Sequence, residues 1–253
     1  MNRLVGKHRI GVISAGVLVT IAALGAIALN AAPNPAPNSA TDSGASAAAP
    51  AVVELYESQG CSSCPPANSN VNALADRRDI LALNFAVTYW DQLGWKDTFA
   101  KPAYTARQWD YARAAGRPQV ATPQVIINGR GAVVGNDPKR LAAAIRDNAR
   151  GNTGPVITVA AGKVMIGKGP SSGPATVWLV RYDPRDLVVP IRAGENNGRT
   201  LAHRNIVRSL AAVGTWKGGA TTLELPAGGD ANYRSAILVQ QGQGGKIVAA
   251  ARL

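Results

Sequence analysis

The sequence predicts an α/β domain followed by an all-β, sandwich-like domain, with an export segment ahead of both. Three observations carry this. Two cysteines, Cys61 and Cys64, directly follow the first strand-like run, and Thr122-Pro123 opens a later one. The second half consists of short β-rich runs between Gly, Pro and Asn clusters. The expected divisions are 1–30 for a signal peptide or membrane anchor, 31–50 for a disordered linker, and 51–152 and 153–253 for the two domains.

The chain opens with Arg3, Lys7 and Arg9 ahead of an uncharged run at 10–29, the layout shared by secretory signals and membrane anchors. Ala26-Ile27-Ala28 offers a small-x-small cleavage site, while retention would make 10–29 a membrane tether. The tract at 30–50 is Ala, Pro, Asn, Ser, Thr and Gly with almost no large apolar residue, so it cannot offset its ordering entropy. Anchor, linker and body together describe an exported protein, periplasmic or secreted, facing an oxidising compartment.

The body begins with a β-branched and aromatic strand at 52–56. After the cysteines, Pro65-Pro66 opens a helical stretch to about residue 78; proline is tolerated in a first turn, where its missing N–H has no partner anyway. The near-continuous apolar run at 80–89 fits a central strand buried on both faces. A Trp- and Tyr-rich insert at 90–116 holds a helix at 104–115. Thr122-Pro123 then opens a strand at 124–127, Asn128-Gly129 is a hairpin turn, and 132–135 pairs back. The helix at 138–150 places Leu141, Ala144 and Ile145 on one face. Strand, helix, strand, helical insert, strand, hairpin strand, helix is the order of the thioredoxin fold, and the first domain is expected to be thioredoxin-like.

Beyond Gly151-Asn152-Thr153-Gly154-Pro155, strand-like runs fall at 156–164, 175–182, 187–191, 221–225, 236–240 and 246–250, which suggests the sandwich. A net charge of +12 without any block of five or six Lys and Arg reads as scattered, solvated cations, and no nucleic-acid partner is expected.

Only two cysteines are present, three positions apart, so they are not a stapling framework. A thiol at a helix N-terminus is acidified by the helix dipole and free N–H groups. Cys61 would attack a substrate disulfide and Cys64, one turn on, would resolve it, with Ser62 and Ser63 tuning the balance. Thr122-Pro123 is expected to be cis and to bring a backbone edge to the dithiol, where a substrate segment pairs as an added strand; a trans proline at a strand's first residue is the plain alternative. A static structural disulfide also remains open. A zinc half-site needs further ligands, and the only histidines are His8 and His203. A Cu(I) carrier lacks a nearby Met or His. Exposed Cys61 sulfur marks catalysis and a buried pair marks structure. No cofactor is expected.

The chain after the linker resembles the secreted family known as domain of unknown function 1223, a branch of the thioredoxin-like superfamily. The likeness rests on the Glu54-to-Pro66 run around the cysteines, Tyr89-Trp90-Asp91, Leu93-Gly94-Trp95-Lys96-Asp97, Thr122-Pro123-Gln124, Gly194 to Leu201, and His203-Arg204-Asn205. The resemblance implies the fold and supplies no activity. Gly60 before the first cysteine and two serines between the pair depart from the Trp-Cys-Gly-Pro-Cys of ordinary thioredoxins.

Three residues are candidate supports. Glu54 is either a partly buried proton acceptor for Cys64 or a solvated strand residue. Asp91 either assists proton transfer or caps a turn. Trp90, with Trp95, either lines a groove or covers the insert's core. His203 reads as a hydrogen-bonded structural residue. The function expected is thiol–disulfide exchange with exported protein thiols or a redox partner protein; the alternative is a non-catalytic binding module with a structural disulfide.

Overall fold

The computed structural model describes residues 49–253, and the expected export segment and nearly all of the linker lie outside them. The first half runs β1 (Ala51–Glu57), α1 (Pro65–Asn72), β2 (Ile80–Ala86), a single 3-10 turn (Asp91–Leu93), α2 (Pro102–Ala114), β3 (Gln124–Ile127), β4 (Gly131–Val133) and α3 (Pro138–Asp147). The second half adds β5 (Ile157–Ala160), β6 (Lys163–Ile166), β7 (Ala175–Asp183), β8 (Leu187–Pro190), β9 (Thr200–His203), β10 (Ile206–Trp216), β11 (Thr221–Glu224), β12 (Arg234–Gln241) and β13 (Ile247–Arg252).

Parallel pairing of β1 with β2 puts Ala51 beside Ile80 and Glu57 beside Ala86, and β3 pairs antiparallel on the other side of β1. Both β1 and β2 are buried throughout, as their apolar sequences require. Strand alternation sorts their side chains. Val53, Leu55, Ile80 and Ala82 pack under α1 and α3, while Val52, Tyr56, Leu81, Leu83 and Phe85 face Tyr104 and Tyr111 of α2. α3 is held by the Asp137 side chain, which accepts from the Lys139 and Arg140 N–H groups at its start, and it buries Leu141, Ala144 and Ile145 as its spacing predicts.

The two halves share one sheet. Its eight strands run β13-β12-β7-β10-β2-β1-β3-β4, so four strands of the second half continue the sheet of the first. The seam is short: β10 meets β2 in parallel at Ile206 and Asn84, the Asn84 N–H donates to the Asn205 carbonyl at 3.0 Å, and the Asn205 side chain donates to the Ala82 carbonyl at 2.9 Å. A three-stranded sheet, β11-β6-β5, covers the second half on the face away from α2, through Val164, Ile166, Val177, Leu179, Trp216 and Ile237. The second half thus carries two β layers, one of them part of the first half's own sheet. The run expected as one strand at 156–164 is a hairpin, β5 and β6 joined by Ala161 and Gly162.

β9 and β10 lie outside the strand-like runs of the sequence, although β10 is the longest strand among the described residues at 11 residues. Two register shifts, between Val207 and Ser209 and between Ala212 and Gly214, break its two-residue period. Gly214, at the second shift, lies close enough to Leu223 that an added Cβ would stand 2.7 Å from its terminal methyls, so any larger residue there would have to move that side chain.

Candidate functional site

β1 ends in the turn that carries the cysteines, and β3 starts at the same edge of the sheet, Tyr56 pairing with Gln124. Cys61 and Cys64 form a disulfide across a separation of three residues, with Cα atoms 5.4 Å apart. Cys64 is the cap residue of α1, and Pro65 and Pro66 fill its first turn. The Thr122–Pro123 bond is cis. Trp90 spans the gap: its Cβ approaches Gly60, and its indole N–H donates to the Thr122 hydroxyl at 2.7 Å.

Both cysteines are buried, Cys61 at 0% and Cys64 at 1% exposure, while Ser62 and Ser63 stay open to solvent. The 191–199 connection between β8 and β9, from the second half, bonds to this turn. The Asn196 side chain, itself fully buried, donates to the Gln59 carbonyl at 2.8 Å and the Cys61 carbonyl at 2.9 Å. Glu195 accepts from the Ser62 N–H at 3.1 Å and the Ser62 hydroxyl at 2.6 Å, bonds that hold its carboxyl below the ordinary value. Gly194, at φ +71°, lies so close to Trp95 that an added Cβ would stand 3.2 Å from the Trp95 Cβ. The Trp95 indole donates to the Gln59 side chain at 2.9 Å.

Beneath the disulfide lies a buried polar cluster. Glu57 sits on the α1 face of β1, and its carboxylate is 3.1 Å from His203 Nδ1, both groups essentially inaccessible to solvent. Asn68, one turn into α1 and bonded through its N–H to the Cys64 carbonyl, reaches the same His203 nitrogen at 3.1 Å and accepts from Asn84 at 3.2 Å. Asp97 accepts from the Gln59 N–H at 2.7 Å and the Phe99 N–H at 2.8 Å. His203 Nε2 lacks a hydrogen-bond partner among the described residues, while Glu57 Oε1 has its ion-pair contact with His203 Nδ1. Burial, together with the Glu57 carboxylate, pushes Asp97 up to about 6. Burial opposes a charged His203, but Glu57 and Asp97 outweigh it and its pKa is raised.

The supporting candidates fall in different places. Glu54 lies on the opposite face of β1 and is fully buried, so the solvated-face reading does not hold. Arg107 of α2 binds it, Nε at 3.0 Å, and the Tyr111 hydroxyl donates to its other oxygen. Asp91 accepts from the Asp97 N–H at 3.1 Å and so closes the turn that delivers Asp97. Trp90 stands with Thr122. Sequence spacing singles out neither Glu57 nor Asp97 as a site residue, and it gives His203 only a structural role. Glu57 had one available signal: three residues after Glu54 in a strand, it must face the other way. Among the described residues no group of three His, Cys, Asp or Glu side chains is arranged to hold a metal ion.

Raised pKa values make the cluster a pH-dependent element of stability. A group that binds its proton more tightly when folded contributes stability at low pH that is lost as pH rises through its folded pKa. For Asp97 the loss runs from the ordinary carboxylate value to about 6, and amounts to about 3 kcal/mol. His203 extends it above its ordinary 6.5. Asp183, held below its ordinary value chiefly by Arg185, pulls the total the other way, so the readout is a difference. Urea unfolding from about pH 4 to 7 should show wild-type stability falling relative to Asp97→Asn. A constant difference across that range would contradict the burial of an ionising Asp97.

Fold and site together define a protein with a mixed sheet and few helices among the described residues, carrying a two-cysteine disulfide at a helix N-terminus beyond the end of β1. The family model described as "Protein of unknown function (DUF1223)" matches residues 52–240, and the chain belongs to that family. A crystal structure of a protein from Agrobacterium tumefaciens is similar at 32% identity and a TM-score of 0.66, over 80% of this chain and 93% of that one. HBP35 of Porphyromonas gingivalis shares the fold at 12% identity and a TM-score of 0.55, over 83% of this chain and 76% of its own. No curated protein is matched.

Proposed function

We propose that the chain is an exported thiol–disulfide oxidoreductase of thioredoxin-like fold, with Cys61 as the attacking sulfur and Cys64 as the resolving one. One observation carries this: the disulfide closes a loop of only four residues at the first turn of α1. So short a loop constrains the unfolded chain little, and the bridge stabilises by about 2 kcal/mol in the chain-entropy model. The helix terminus instead offers the positive end of the α1 dipole, which favours a thiolate, although Pro65 and Pro66 leave its first two positions without N–H groups. The strand order β2-β1-β3-β4, with β1 and β2 parallel and a closing antiparallel hairpin, supports the fold reading. Thr122-Pro123 at the same sheet edge supports a docking strand for the partner, an exported protein thiol or disulfide.

Reduction would run by attack of a partner thiolate on a Cys61–Cys64 sulfur, then by resolution of the mixed disulfide by the partner's second thiol. The partner dithiol is oxidised to a disulfide, and Cys61 and Cys64 leave as thiols after taking up two protons.

Burial of both cysteines favours a second reading, a binding module with a structural disulfide. Equilibration with glutathione separates the two. A reduction potential between about −120 and −270 mV supports the oxidoreductase, and one below about −300 mV marks a structural bridge.

A further inference from the structure

Three cations distant in sequence meet in one cleft of about 380 Å³. Arg130 comes from the turn between β3 and β4, Arg150 from just beyond α3, and Lys246 from the turn before β13. Thr153, Ser171, Ser172 and Gln241 add uncharged polar groups, and no carboxylate lines the cleft. A neighbouring cleft of about 290 Å³ shares Arg130 and Lys246, adds Arg117, and also lacks an acidic residue.

Arg150 is the anomaly. It is nine-tenths buried, whereas Arg130 and Lys246 are exposed. One of its terminal nitrogens donates to the Pro50 carbonyl, and its Nε is buried without a partner. The ion pairs among the described residues involve none of these three cations. Burial and the nearby Arg130 guanidinium depress Arg150 to about 10. Arg107, the other deeply buried arginine among the described residues, has a carboxylate at 2.9 Å. A buried guanidinium facing a like charge is costly unless an anion completes it. Among the described residues none does.

We propose that the cleft of Arg130, Arg150 and Lys246 binds a phosphate-type oxyanion, either as a free small molecule or as the headgroup of a larger one. Arg130 and Arg150 each spend one terminal nitrogen on a carbonyl, of Ala149 and Pro50, and keep further guanidinium N–H donors of the kind that suit oxyanions, while Lys246 adds a charge to the lining. The volume lies within the range of small-ligand pockets. The cleft uses neither cysteine and is independent of the redox reading.

Titration calorimetry with inorganic phosphate and pyrophosphate, at ionic strength held constant with sodium chloride, tests the site. Saturable binding is expected, weakened roughly ten- to a hundredfold in Arg130→Gln and in Lys246→Gln. Both replaced side chains are exposed, so these variants keep the fold if the buried Arg150→Gln does not. Co-sedimentation of the full chain with vesicles bearing phosphate monoester headgroups, against wholly zwitterionic vesicles, is the second arm. Excess binding that the same variants remove assigns the site to a headgroup; binding confined to the soluble probes assigns it to a free oxyanion. Absence of saturable binding in both arms, or binding unchanged in Arg130→Gln and Lys246→Gln, overturns the proposal.

Discussion

Arg107→Met is expected to cost the fold about 3–5 kcal/mol, the penalty for stranding one partner of a buried ion pair. Arg107 and Glu54 are 5% and 0% exposed and stand 2.9 Å apart. The guanidinium also donates to Gln240 of β12 at 2.9 Å and to the Tyr111 hydroxyl at 3.0 Å. Burial works against its charge, but the Glu54 carboxylate holds its pKa above the ordinary arginine value. One side chain on α2 thus ties β1 of the first half to β12 of the second. Methionine would fill part of the volume and leave a carboxylate in a dry interior. Since small domains are stable by roughly 5–15 kcal/mol in total, the loss should be plain in urea unfolding. Glu54→Leu with Arg107→Met should recover much of it, because no charge is then left buried. A single variant within about 1 kcal/mol of wild type would mean that water reaches this pair.

Asn196→Ala should accelerate reduction of the Cys61–Cys64 disulfide by a small thiol roughly ten- to a hundredfold. The Gln59 carbonyl would lose its Asn196 donor, and the Cys61 carbonyl would keep only the Cys64 N–H. A buried acceptor left without its partner costs about 1–3 kcal/mol, and the 191–199 connection can relieve that by opening to water. Each 1.4 kcal/mol taken from the opening free energy raises the open population about tenfold. Stopped-flow reduction with dithiothreitol, followed by the intrinsic tryptophan emission to which Trp90 and Trp95 contribute, gives the rate. An unchanged rate would show that the connection is no barrier to the sulfurs.

Much of the first half was legible in the sequence because its signals are local. The apolar run of β2 needs no partner to be recognised, and Pro65-Pro66 and Asn128-Gly129 carry their own backbone preferences. The second half was harder. β10 holds Arg208, Ser209 and Gly214 within a bulged strand, so neither composition nor alternation announces it. Glu54 illustrates the same limit from another side. Alternation assigned it to the face away from its apolar neighbours, but only the arrival of Arg107 from α2 makes that face an interior.

The sequence by itself determined where the cysteines stand on the chain, the helix that starts behind them, and the strand opened by Thr122-Pro123. Each depends on residues within a few positions of one another, where backbone geometry and hydrophobic periodicity act directly. The tertiary structure alone decided what surrounds them. It continued one sheet across both halves where β10 meets β2, brought His203 to Glu57 across 146 positions, and bonded Asn196 to the Cys61 carbonyl. It also gathered Arg130, Arg150 and Lys246 from a charge distribution that looks scattered along the chain. These contacts are set by packing of surfaces far apart in sequence, and no local preference of the backbone encodes them.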